Sequence, residues 1–222
     1  MNFINLNSSL KSVKIGLSTL ALAMMTLTVS AQQEEHKNEN VRLGQKALLD
    51  GDFKSAVTYL QKALPAEAND PHVVYLLGYS QLQSADFKKS ADTFEKVIKL
   101  DPKNANAYYY KAKANNILAV DNGSKLSVAE KEQLLSAVVA DYSKAIAINA
   151  SDAKLYQNRA VAYRDLGILK GTAGAAGYNK QAATEAYNKA VADYEKVLSY
   201  DSSRKDIQTE IKKAKVYRDL LK

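Results

Sequence analysis

From about residue 37 to the end, apolar residues recur every three or four positions, and they do so in paired runs. The stretch Pro71–Asn104 shows the unit most clearly. Its first run places Val74, Leu77, Gly78 and Gln81 on one helical face, an i, i+3, i+4, i+7 set. Its second run carries Ala91, Phe94, Val97 and Ile98, and ends at Asp101-Pro102 because proline cannot continue a helix. Ser84-Ala85-Asp86 supplies a tight turn between the two. Gly78 is informative, because a mid-helix glycine costs about 1 kcal/mol relative to alanine. Its presence predicts that another helix comes close there.

The same stretch resembles the tetratricopeptide repeat family, whose helix–turn–helix signature of about 34 residues reads W-x2-L-G-x2-Y, A-x3-F, P. Val74 stands for the tryptophan, Leu77-Gly78 match, Gln81 departs from tyrosine, Ser90-x3-Phe94 matches loosely and Pro102 matches. Stepping back one repeat places Leu43-Gly44, the turn Gly51-Asp52-Phe53 and Ala56-x3-Leu60 in register, with the usual terminal proline missing at Ala68. Stepping forward places Ala112 at the glycine position, where Lys111 departs from leucine. The expected partner helix does not follow directly. About fourteen residues are inserted, with a turn at Asp121-Asn122-Gly123-Ser124 and a capping box at Ser127-x-x-Glu130. The partner helix is expected to start near Leu126 and run to about Asn149, with Tyr142, Ala145 and Ile146 inward. The fourth unit matches at Tyr156, Ala160, Tyr163 and Gly167, and Arg159 departs from leucine. A second insert, KGTAGAAGYNK, reads as mobile from its glycine and alanine content. Ala190-x3-Tyr194, Val197 and Leu198 complete the unit.

The expected fold is all-α, an α-solenoid of about four such units at 37–70, 71–104, 105–152 and 153–203. Residues 204–222 form a capping helix that buries Ile207, Ile211, Ala214, Leu220 and Leu221 and turns a charged face to solvent. The resemblance implies a right-handed superhelix with the first helix of each unit lining a concave side.

Ahead of the repeats, residues 1–31 have the composition of an export signal. Lys11 and Lys14 precede the apolar run IGLSTLALAMMTLTV, and Val29-Ser30-Ala31 fits a small-residue cleavage site. The run is shorter than the ~20 residues a membrane-spanning helix needs, so cleavage after Ala31 is expected over anchoring. Residues 32–36 would then be a polar, disordered new N-terminus. Loss of the leader lowers the formal charge from +7 to +5. The expected location is the periplasm or the exterior, with no integral membrane segment after cleavage. The sequence has no cysteine, which excludes disulfides, thiol nucleophiles, cysteine-ligated zinc and a lipid anchor through cysteine. Lysines such as Lys88-Lys89 and Lys212-Lys213 alternate with acids along helices, and no basic stripe suited to nucleic acid is evident.

Catalytic machinery is not legible. His36 and His72 are the only histidines, and neither stands in a nucleophile, base or metal-ligand pattern. GTAGAAG lacks the ending of a phosphate-binding loop. No catalytic residue, metal or cofactor is expected, and the reading is of a protein that is not an enzyme. Interest passes to the 14 tyrosines, which stand without a single tryptophan. Tyr142, Tyr163 and Tyr194 fall at inward positions. The resemblance implies that first-helix positions two, five, nine, twelve and thirteen line the groove. Those positions include Val41 in the first unit and Tyr75, Tyr79, Leu82 and Gln83 in the second. The third contributes Tyr109, Lys113 and Asn116, and the fourth Gln157, Val161, Arg164 and Asp165. Tyr75, Tyr79, Gln83, Tyr109, Lys113, Asn116, Gln157 and Arg164 form the candidate partner-binding set, an aromatic and cationic surface of the kind enriched at interfaces. They are expected to face away from the partner helices. The leading function is a scaffold of the cell envelope for a peptide or a partner protein. The alternative is a carbohydrate- or cell-wall-binding accessory protein, since tyrosines can also stack on sugar rings. Val41 and Gln45 do not supply the lysine and asparagine of a carboxylate clamp.

Overall fold

Most helices begin where the sequence supplies a side chain to hold their first free N–H groups. Asn38 caps α1 (Glu39–Leu49), Asp52 caps α2 (Phe53–Glu67) and Asp70 caps α3 (Pro71–Gln83). α4 (Phe87–Leu100) starts without a side-chain cap, and Asn104 caps α5 (Ala105–Val120). Ser127 and Glu130 close a complete capping box on α6 (Val128–Ile148), with the Ser127 N–H donating to Glu130 Oε2 at 2.7 Å. Asp152 and Asn179 cap α7 (Ala153–Gly171) and α8 (Lys180–Tyr200), and α9 (Lys205–Asp219) ends the series. These nine helices come from a computed structural model that describes residues 36–121 and 123–221. From Asn38 onward they form one compact unit. The leader at 1–31 lies outside the described residues, as does the tail that follows it up to residue 35.

The helices pack as four antiparallel pairs, α1/α2, α3/α4, α5/α6 and α7/α8, with α9 laid on α8. Two turns between partners share one geometry. At the end of α1 the Asp52 N–H donates to Ala47 O and the Gly51 N–H to Leu48 O, with Gly51 at φ 74°. At the end of α3 the same two bonds run from Asp86 to Gln81 and from Ala85 to Leu82. This is the Schellman arrangement, which needs a left-handed residue after the cap. Ala85 adopts it at φ 63°, where its Cβ is strained.

Within a pair, contact is set by a small residue on the first helix and a large one on the second. A Cβ on Gly44 would lie 2.6 Å from Leu60 Cγ, and one on Gly78 would lie 3.2 Å from the Phe94 ring. The glycine at 78 therefore does admit the second helix of its own pair. Ala112 and Ala160 take the same position in the third and fourth pairs and share core clusters with Tyr142 and Tyr194. Leu60, Phe94, Tyr142 and Tyr194 are all essentially inaccessible to solvent.

The departures from leucine at Lys111 and Arg159 have a common cause. The Lys111 ammonium lies 2.8 Å from Glu95 and 3.2 Å from Asp141, an acid on the partner helix. Arg159 holds Asp193 through two bonds, of 2.7 and 2.8 Å, and reaches Ser143 with its remaining arm. In each case the acid directly precedes the large core tyrosine, Tyr142 or Tyr194. The equivalent positions in the second pair hold Leu77 and Thr93. A cation has been installed together with its acid, so neither charge is buried alone.

α2 runs past Pro65 to Glu67, because a proline in the last turn removes only one backbone hydrogen bond. Two elements differ from expectation. α7 continues to Gly171, and the second insert contracts to 172–179. That insert is made of successive turns with Gly174 and Gly177 at positive φ and an Asn179 N–H bond back to Lys170 O. In α9, Ile207, Ile211 and Ala214 are buried and Leu221 packs on the same cluster. Leu220 is not buried: it is 68% exposed, because the helix ends at Asp219 and the chain turns it outward as the C-cap.

Candidate peptide-binding groove

First helices of successive pairs approach one another, α1 to α3, α3 to α5 and α5 to α7, whereas the second helices of neighbouring pairs do not come as near. The stack is therefore tighter on the first-helix side, and that side is the inner one. The eight candidate residues all lie on α3, α5 and α7.

Their surroundings are less open than the pattern suggests. Tyr75 and Tyr79 both pack edge-on against Tyr110, at 6.0 and 5.4 Å between ring centroids, and Tyr75 also meets Phe94 at 5.5 Å. Tyr109 lies 4.9 Å from Tyr110 and 5.9 Å from Tyr142. Tyr75, Tyr79 and Tyr109 are thus half-buried walls of an aromatic cluster that is continuous with the core. The expectation that they stand clear of the partner helices is corrected: Phe94 belongs to α4 and Tyr142 to α6. Burial pushes the hydroxyls of Tyr75 and Tyr109 above the ordinary tyrosine range. Tyr110, which is 4% exposed and central to the cluster, escaped the sequence reading. The run Tyr108-Tyr109-Tyr110 held the clue, since successive helical residues point about 100° apart and cannot all face one groove. Val41 and Leu82, also on the implied stripe, are buried core residues.

The polar members fall into two groups. Gln83 is exposed and donates to the Tyr79 hydroxyl at 2.7 Å. Gln157 accepts at 3.2 Å from Arg204, the residue that leads into α9. Arg164 is tied at 2.9 Å to Asp165 and at 3.0 Å to Glu210, also on α9. Its role in holding α9 was not foreseen, and it is not a free anchor. Burial raises the Asp165 carboxyl above its ordinary range, against the opposing pull of Arg164 and a bond from Asn116. Lys113, one turn beyond Tyr109, is half-buried, and burial lowers its ammonium below the usual lysine range. At the C-terminal end, a cleft of about 450 Å³ opens between α7 and α9, with Gln157, Val161 and Arg164 on one wall and Thr209, Glu210 and Lys213 on the other. The surface as a whole offers aromatic edges, amides and cations over three successive first helices, chemistry suited to holding a peptide.

The sequence model of the tetratricopeptide-repeat family matches residues 47–115. No curated protein matches the chain. Among solved structures, the MamA RS-1 ArsTM double mutant is similar with a TM-score of 0.61 at 19% identity, over 82% of this chain and 84% of that one. A crystal structure of MamA protein gives 0.51 at 22% identity, over 81% and 90% of the two chains. The structure titled MamA MSR-1 C2 gives 0.51 at 15%, over 71% and 76%. At such identities the likeness is one of fold.

Proposed function

We propose that this stack of helix pairs, whose residues 47–115 match the tetratricopeptide-repeat family model, is a non-catalytic scaffold of the cell envelope that holds an extended peptide or a partner protein on its inner face. One observation carries this reading. The first helices converge on the inner side, and Tyr79, Gln83, Tyr109, Lys113, Asn116 and Gln157 lie on three of them, the two tyrosines being of the type enriched at interfaces. Export rests on Lys11, Lys14, the apolar run and Val29-Ser30-Ala31. Among the described residues no helix is long and apolar enough to cross a membrane.

Capture from envelope extract tests the scaffold. The wild type is compared with the double variant Tyr79→Ala, Gln83→Ala and with outer-face controls Lys62→Ala and Lys144→Ala, each checked by thermal melting. A protein retained stoichiometrically by the wild type and the controls, and lost by the groove variant, supports the reading. Retention on glycan with no protein captured would transfer the protein to the carbohydrate-binding class.

A further inference from the structure

Resting on that groove reading, we propose that the middle of the groove receives the carboxylate of an acidic side chain within an extended partner segment, and that Lys113 is its counter-ion. The basis is charge complementarity. Of the seven other half-buried cations among the described residues, six face an acid: Lys111 faces Glu95 and Asp141, Arg159 Asp193, Arg164 Asp165 and Glu210, Lys170 Glu132, Arg204 Asp206 and Arg218 Asp219; the seventh, Lys131, stands in the first turns of α6 and not on a first helix. No acid lies within ion-pair distance of Lys113 among the described residues. The same stripe position is Tyr79 on the preceding first helix and Val161 on the following one, so the walls on either side carry no charge. Two acids of the fourth pair's first helix and its cap are committed elsewhere: Asp165 to Arg164, and Asp152 to the start of α7.

Burial alone accounts for the lowered affinity of Lys113 for its proton, with no opposing charge to restore it. An ammonium held this way weakens the folded state, whereas methionine would fit the same stem without the penalty. Local costs of this kind are found at functional sites, and here the compensation would arrive with a ligand. A partner carboxylate entering between Tyr79 and Val161 would meet a partly desolvated cation, the setting in which a charge-assisted hydrogen bond is strongest.

The test uses fluorescein-labelled pools of short random peptides with blocked ends and a fixed central Glu, Gln or Lys. A fourth pool has a central Gln and a free C-terminal carboxylate. Binding is read by anisotropy on wild type and on Lys113→Met, and both proteins are melted. The expected result is a Glu pool that binds at least about tenfold more tightly than the Gln pool. Lys113→Met should abolish that preference while melting higher than wild type. Equal binding of the Glu and Gln pools, still sensitive to Tyr79→Ala, would overturn the Lys113 assignment and leave the groove standing. Tight binding by the free-carboxylate pool alone would overturn the side-chain source. Lys113→Met that melts lower and keeps the Glu preference would also overturn it. No binding by any pool would remove both the assignment and the groove.

Discussion

At the scale of single residues, close approach is decided by a few atoms. Phe94 is completely buried and sits 3.2 Å from where a Gly78 side chain would begin. Phe94→Ala should cost about 3–5 kcal/mol, the range for emptying an aromatic core site. Gly78→Leu should overpack the same site and cost about 1–3 kcal/mol. Urea unfolding of both variants checks this, and wild-type midpoints would refute the contact. Ala85 offers the opposite case. Its positive φ is strained for any residue with a Cβ, while glycine would cost some unfolded-chain entropy in exchange. Ala85→Gly should therefore stabilise by about 0.5–1 kcal/mol, seen as a higher melting temperature. A lower one would mean that the turn is not the Schellman arrangement described.

At the scale of elements, periodicity made most of the helices legible, because each pair needs a small and a large residue at fixed spacing. The capping box at Ser127 and the stop at Asp101-Pro102 were readable for the same local reason. The groove was less so. Whether a stripe tyrosine faces solvent or the core depends on the neighbouring pair, and Tyr110 fills the space beneath Tyr75, Tyr79 and Tyr109 from a position the pattern does not single out. Arg164 looked like an anchor because its acid, Glu210, lies 46 residues away. The ionic pairs were half visible as two departures from leucine, but the departures gain meaning only when Asp141 and Asp193 are placed opposite. Asp193→Thr should leave Arg159 without its partner and cost about 2 kcal/mol, less than the full buried-pair range because the arginine keeps some exposure. Adding Arg159→Leu reproduces the Leu77 and Thr93 combination and should recover most of that loss. A double variant no more stable than the single one would show that the pair is not an independent unit.

At the scale of the whole molecule, the stack depends on having its C-terminal end covered. α9 hides Tyr194 and Val197, now 0% and 1% exposed, and pins Arg164 and Gln157 of the fourth pair. A chain ending at residue 203 should melt at a clearly lower temperature and self-associate, as light scattering during heating would reveal. Monomeric behaviour with an unchanged melt would make α9 dispensable. A chain assembled from near-copies also faces a hazard that a chain of unlike parts does not: a helix can dock on the wrong copy's partner and still bury its apolar face. The change from an apolar combination in the second pair to an ionic one in the third answers that hazard at the centre of the stack. If α3 took α6 as its partner, Leu77 would be set against Asp141. If α5 took α4, Lys111 would keep Glu95 and meet Thr93 in place of its second acid. The second and third first helices thus each carry a password that the other's partner cannot supply, and proofreading at the middle of the assembly is written into two pairs of side chains, Leu77 with Thr93 and Lys111 with Asp141, rather than into the length of any loop.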